Sequence, residues 1–374
     1  MNPLSTANDK PLFTPGPLTT SRTVKQAMLR DLGSRDGEFL RVVRDMRAKL
    51  LNVAELQNDF ECVLMQGSGT FSIEAVIGSA TPPDGKILIL ANGAYGRRMV
   101  KIADALRIPR VVIEYAEDCN TNALDVERAL NADAAITNIA MVHSETTSGL
   151  VNDIHAVGAV AKKFDKIFLV DAMSSFGGIE TDWRATNADY IVSSANKCIE
   201  GVPGFGFILA RRAALTQTEG WARSLALDLF AQWRGLESDG QFRFTPPTHA
   251  LLAFEQALLE LEQEGGVKAR AARYRANYET LLQGTRALGL REYLRAEQQG
   301  HIIVSFLYPR DARFDFPTFY ARLNDRGYVI YPGKVGNANC FRIGCIGRLF
   351  PSDMQNLIQA MRATLDEMGV LPDA

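Results

Sequence analysis

The chain is poor in cysteine and histidine, with five and four among 374 residues. Cys62, Cys119, Cys198, Cys340 and Cys345 are odd in number and never spaced as C-x-x-C. That pattern excludes a disulfide framework and a zinc site, predicts no metal, and suits a reducing compartment such as the cytoplasm. Charge of one sign is missing too: 41 basic against 43 acidic residues leave a net charge of −2. Neither nucleic acid nor an anionic membrane surface is therefore an expected partner. No apolar run approaches the ~18 residues of a membrane span, and Met1 to Gly16 lacks the basic-then-apolar pattern of an export signal. The phosphate-binding Gly-Lys-Ser/Thr of a P-loop is absent, and Gly67, Gly69 and Ser72 lack the third glycine of a dinucleotide fingerprint. What remains is an ordinary globular composition, 47% hydrophobic and 22% charged, on a chain long enough for two domains.

Strand-like and helix-like stretches alternate through the first half. Apolar runs at 60–65, 86–90, 110–115, 134–143 and 166–171 read as strands. Residues 21–30, 37–51, 73–80, 125–130 and 154–164 read as helices. This alternation predicts an α/β protein with a mostly parallel sheet and ligands outside the strand C-termini. Candidate site residues follow the strands. Ser68-Gly69-Thr70 joins a strand to a helix, as a plain cap or as an anion site built from free N–H groups. Tyr95 stands between Gly93 and Gly96, packed in a loop or free to lie over a flat ring. Thr146, in the loop 143–149, fits either turn chemistry or a ligand contact. In the arm Leu12 to Leu18, Gly16 is a turn residue or lets backbone approach a ligand closely.

Two segments carry the chemistry. Ser193-Ser-Ala-Asn-Lys197 follows an apolar stretch and precedes the glycine-rich exit Gly201-Val-Pro-Gly204. A lysine there is a surface turn or, shielded from water, a nucleophile with a lowered pKa. The apolar run Lys166 to Val170 ends in Asp171, 26 residues upstream of Lys197. A lysine and a strand-end aspartate are what pyridoxal 5′-phosphate requires. The amine takes the aldehyde, and the carboxylate keeps the pyridine nitrogen protonated. Farther on, 250–264 reads as a helix joining two domains. Beyond it lie helices over 268–286 and 316–324, strands at 301–306 and 340–347, and a last amphipathic helix behind Ser352. Arg342 sits inside the apolar strand, where it needs an anion: an internal acid, or a ligand carboxylate or phosphonate.

Taken together, these motifs resemble the fold-type I, class V pyridoxal-phosphate aminotransferases over nearly the whole chain. The segments that carry the likeness include Phe13-Thr-Pro-Gly-Pro17, Gln66-Gly-Ser-Gly69, Asn92-Gly-Ala-Tyr-Gly96, Met141 to Thr147, Val170 to Gly178, Ser193 to Cys198 and Cys340-Phe-Arg-Ile-Gly344. The resemblance implies a Schiff base at Lys197, with Asp171 on the pyridinium and Tyr95 stacked on the ring. It implies a phosphate held by Ser68, Gly69 and Thr70 with Asn196, and Thr146 near the cofactor's phenolic oxygen. Gly16 and Arg342 would meet the substrate. Thr245 would reach a neighbouring subunit's phosphate, so a homodimer with shared sites is expected. The implied domains are an arm at 1–24, a large domain at 25–255 and a small one at 256–374. The implied reaction moves the amino group of 2-aminoethylphosphonate to pyruvate, giving phosphonoacetaldehyde and L-alanine. Alanine–glyoxylate or serine-type transamination, a cysteine desulfurase using Cys340, and a non-catalytic cofactor-binding module are the alternatives.

Overall fold

A computed structural model describes residues 9–336 and 338–370. The start of the expected arm, residues 1–8, lies outside them, as do Asn337 and residues 371–374. In chain order the helices are α1 (Arg22–Gln26), α2 (Gly37–Val53), α3 (Gly69–Ala80), α4 (Ala94–Ala105), α5 (Ala123–Ala132), α6 (Ile154–Lys163), α7 (Arg212–Leu215), α8 (Leu229–Ser238), α9 (Thr248–Glu264), α10 (Gly266–Arg286), α11 (Phe316–Asp325) and α12 (Pro351–Met368). The strands are β1 (Phe60–Gly67), β2 (Lys86–Ala91), β3 (Arg110–Glu114), β4 (Ile136–Val142), β5 (Ser144–Glu145), β6 (Leu150–Val151), β7 (Ile167–Asp171), β8 (Tyr190–Ser194), β9 (Gly204–Arg211), β10 (Ile303–Leu307), β11 (Tyr331–Val335) and β12 (Ala338–Gly344).

Seven strands form one sheet in the order β1-β9-β8-β7-β4-β2-β3. Only β9 runs against the others. β8 is buried throughout, and so is β7 after its first residue, because helices cover both faces of the sheet. Their Val, Ile and Leu side chains each contribute about 1.5–3 kcal/mol by leaving water. Helix α2 buries Phe39, Val42, Val43, Met46 and Leu50, the stripe that its spacing predicts.

A second core gathers around the antiparallel sheet β10-β12-β11. Phe306, Phe319, Phe341, Leu357 and Met361 fill it, and so does Phe13 from the arm. The arm is fixed there by backbone bonds, Phe13 N–H to Val329 O at 2.8 Å and Gly344 N–H to Phe13 O at 2.9 Å. The edge expected at 255/256 falls inside α9, whose buried face runs on to Leu261 in the larger core. Left-handed Gly265, at φ +106°, separates α9 from α10. Two starts differ from the sequence reading. Tyr95 is not in a loop but in the first turn of α4. α12 begins ahead of Ser352, its Phe350 N–H held by the Asp353 carboxylate at 2.8 Å.

Candidate active site

The C-terminal ends of β1, β2, β7 and β8 open on one cavity. It is lined by Ser68, Gly69, Thr70, Tyr95, Asp171, Asn196 and Lys197, together with Arg98, Met173 and Ser194. Seven residues expected from the sequence thus meet in one place.

Lys197 lies three residues past β8 in a turn closed by Glu200 N–H to Lys197 O at 2.7 Å and Gly201 N–H to Ala195 O at 2.9 Å. Gly201 is required for space: a Cβ there would stand 2.7 Å from Phe254 and 2.8 Å from Ala195 O. The Lys197 side chain is half-buried and opens on the cavity. Loss of water, with the charges of Arg342 and Arg98 acting in the same sense, brings its pKa down to about 8; Cys198 and Asp171 oppose this. Its amine donates to Pro15 O at 2.8 Å. The arm therefore touches it directly, and a Cβ on Gly16 would come within 2.8 Å of both Lys197 Cδ and Asn196 O.

Asp171 ends β7 and is 4% exposed. One carboxylate oxygen accepts Met173 N–H at 2.9 Å. The other takes no hydrogen bond from the described residues. Burial pushes the pKa up to about 7. Across the cavity the N-terminus of α3 follows Ser68, whose side chain makes no cap bond. Its first N–H groups are left as donors for an anion. Gly69 is needed because a Cβ would meet Met173 Sδ at 2.4 Å. These residues fit pyridoxal phosphate: an unspent acid oxygen for a ring N–H, an amine for an aldehyde, and open donors for a phosphate.

Arg342, in β12, lies outside the cavity lining but is close enough for its charge to act on Lys197 and Tyr95. No described carboxylate pairs with it, which removes the internal salt bridge that its sequence context allows. Instead Nε and Nη2 donate to Pro332 O at 3.2 and 3.0 Å, and Nη1 to Thr146 O at 3.1 Å. Its guanidinium also lies 4.7 Å from the Tyr331 ring centre. Three of five N–H groups are engaged, leaving one on Nη1 and one on Nη2. That is the number a bidentate oxyanion takes.

Against known proteins, the class-V aminotransferase family model matches residues 19–322. The chain belongs to the class-V aminotransferases. It is 50% identical to a 2-aminoethylphosphonate–pyruvate transaminase of Vibrio vulnificus over 360 residues, 96% of this chain and 98% of that one. A Klebsiella pneumoniae protein of the same name is 51% identical over 352 residues, covering 94% and 96%. Among solved structures, an alanine–glyoxylate aminotransferase from Nostoc sp. superposes with a TM-score of 0.89 at 24% identity, over 98% of this chain and 97% of that one. A pyridoxamine–pyruvate aminotransferase from Mesorhizobium loti gives 0.88 at 24%, over 97% and 93%. The fold is fold type I.

Besides Arg342 and Gly16, two expected residues of this class-V frame lie outside the cavity lining. Thr146 is buried, and its hydroxyl is shared with Ser174 Oγ at 2.7 Å. Thr245 is exposed in the segment before α9, where its carbonyl and that of Phe244 accept from Gln66 Nε2. Cys340 is fully buried and its thiol pKa is raised to about 11, so it does not present a mobile nucleophile. The sequence reading missed Arg98, whose guanidinium stands 4.6 Å from the Tyr95 ring centre and donates to Thr70 Oγ1 at 3.1 Å. Arg98 is three residues from Tyr95 on α4, a neighbourhood hidden in the sequence because the start of that helix reads as a loop. It also missed the buried cluster behind the lysine. Arg270 Nη1 and Tyr274 Oη donate to Cys198 O at 2.7 and 3.2 Å, and Arg273 pairs with Glu200 at 2.7 Å.

Proposed function

We propose that this chain transfers the amino group of 2-aminoethylphosphonate to pyruvate, yielding phosphonoacetaldehyde and L-alanine, with pyridoxal 5′-phosphate as cofactor. The observation that carries the substrate choice is Arg342. It is a half-buried guanidinium with no acid partner among the described residues, and with two N–H groups left beside the lysine cavity. Relatives about half identical over almost their full length, named for that reaction, support the same reading.

The cofactor, when bound, supplies an aldehyde for the amino group and a ring that delocalises the electron pair of a broken C–H bond. Ser68, Gly69, Thr70 and Asn196 would hold it by its phosphate, and Tyr95 would cover its ring. Asp171 keeps a proton at the ring nitrogen. Lys197 Nζ, neutral in a useful fraction because of its lowered pKa, would take the substrate C–H proton as base and, as acid, deliver it to the former aldehyde carbon of the cofactor. Arg342 orients a phosphonate in one half-reaction and a carboxylate in the other, since a two-pronged donor accepts both.

The reading extends to the assembly. Thr245 is exposed and away from its own cavity, in keeping with a homodimer in which it serves the neighbour's phosphate. We place the large and small domains on either side of Gly265, with the described arm residues belonging to the small core. Five unpaired cysteines suit the cytoplasm, and no helix among the described residues is long and apolar enough to cross a membrane.

The test is spectroscopic. The protein loaded with pyridoxal phosphate should lose its visible absorption on addition of 2-aminoethylphosphonate alone and regain it with pyruvate. Arg342→Ala should keep the absorption and fail to saturate with donor. A spectrum indifferent to this donor would defeat the proposal.

A further inference from the structure

Glu145 is a fully buried carboxylate for which the proposed chemistry has no use. No cation forms an ion pair with it among the described residues. Its four donors are Tyr95 N–H at 3.3 Å, Gly96 N–H at 3.4 Å, Thr147 N–H at 3.4 Å and Thr147 Oγ1 at 2.5 Å. Ala94 N–H in turn donates to Thr147 Oγ1 at 3.1 Å. The first three N–H groups of α4 therefore all end on the Glu145–Thr147 stretch. A carboxylate suits that place, since it meets the positive end of the helix. The fit is tight: a Cβ on Gly93 would stand 2.2 Å from Glu145 Cγ and Cδ. Gly93 has extended backbone, at φ −178°, so space rather than conformation asks for glycine there.

The same three residues also face the small sheet. Thr146 O accepts from Arg342 Nη1 at 3.1 Å, and Thr147 O from Ser305 Oγ at 3.0 Å. Ser305 and Arg342 are paired neighbours on β10 and β12. One short stretch thus fixes the start of the helix that carries Tyr95 and, through its carbonyls, the arginine set aside for the substrate anion.

We propose that Glu145 is a positioning residue that holds Tyr95 and Arg342 at a fixed spacing, so that cofactor ring and donor anion are registered by one buried carboxylate. This rests on the reading of the cavity as a cofactor and amino-donor site. Glu145 touches neither ligand. It acts through α4 on one side and through the Thr146 and Thr147 carbonyls on the other. Replacing it by glutamine keeps the shape but removes the charge and turns an N–H₂ toward groups that are themselves donors.

The experiment compares wild type with Glu145→Gln and with Thr147→Val, which removes the shared hydroxyl and spares the carboxylate. The Kd of pyridoxal phosphate for cofactor-free protein is read by tryptophan fluorescence, the KM for 2-aminoethylphosphonate by alanine formation, and the folded fraction by circular dichroism. Both constants should rise together in the folded protein, about tenfold or more, as for loss of hydrogen bonds to a charged group. Variants whose folded fraction keeps both wild-type constants would overturn the proposal. So would a rise in one constant alone, because the coupling is the claim. Wild type that binds no cofactor would instead overturn the reading of the site beneath it.

Discussion

At the scale of single residues, the account turns on an amine made reactive by where it is. An ordinary lysine at pH 7 is neutral in about three molecules in ten thousand, whereas a pKa near 8 raises that to about a tenth. The lowered value is that of the folded protein, so the neutral fraction should climb through about pH 8 and not through the ordinary 10.5. Acylation of Lys197 in cofactor-free protein, followed by peptide mass spectrometry, should show this midpoint. A midpoint near 10.5 would mean that the cavity does not desolvate the amine. Asp171 is shifted in the opposite direction by the same cause, burial, which disfavours its charged form. One dry cavity thus brings an acid and a base toward each other in pKa.

At the scale of elements, the arm links the small core to that amine. Phe13 is buried among the small-core side chains, and three residues later Gly16 lies against Lys197. Gly16 has φ +121°, in the region that favours glycine, and no room for a Cβ. Gly16→Ala should therefore push the arm off the lysine, at a cost of order 1–3 kcal/mol for the strained backbone. Calorimetry should show a lower Tm, and the donor KM should rise; an unchanged Tm and KM would mean the arm does not need this contact. The arm also shows what a sequence can and cannot convey. Asp171 was legible because it closes an apolar strand and Lys197 because it follows one closely, and strand ends in such sheets face ligands. Tyr95 was legible as a ring-covering candidate, but its helical setting was not, because Asn92-Gly-Ala-Tyr-Gly96 reads as a loop. Only the carboxylate of Glu145, fifty residues away, reveals why the helix starts there. Arg270 and Arg273 escaped for a related reason: on a helix they read as solvated charges, and only packing shows them turned inward.

For the whole molecule, two cores and one arm converge on a cavity made almost wholly from the large sheet, with Arg342 brought close to it from the small one. The proposed sharing of sites in a dimer has a direct consequence. Thr245→Ala should weaken cofactor binding in both sites, and Lys197→Ala should abolish turnover. Mixing the two should restore one intact site per mixed dimer, so activity at limiting cofactor should rise above that of either variant alone. Sites confined to single chains would give no such gain. The most direct test of the central claim is L-alanine formed from pyruvate by the cofactor-loaded protein with equal concentrations of 2-aminoethylphosphonate, serine and phosphoserine as donors. Alanine should appear chiefly with 2-aminoethylphosphonate, in equal amount with phosphonoacetaldehyde, and Arg342→Ala should lose that preference. Alanine formed from serine or phosphoserine, but not from the phosphonate, would contradict the account.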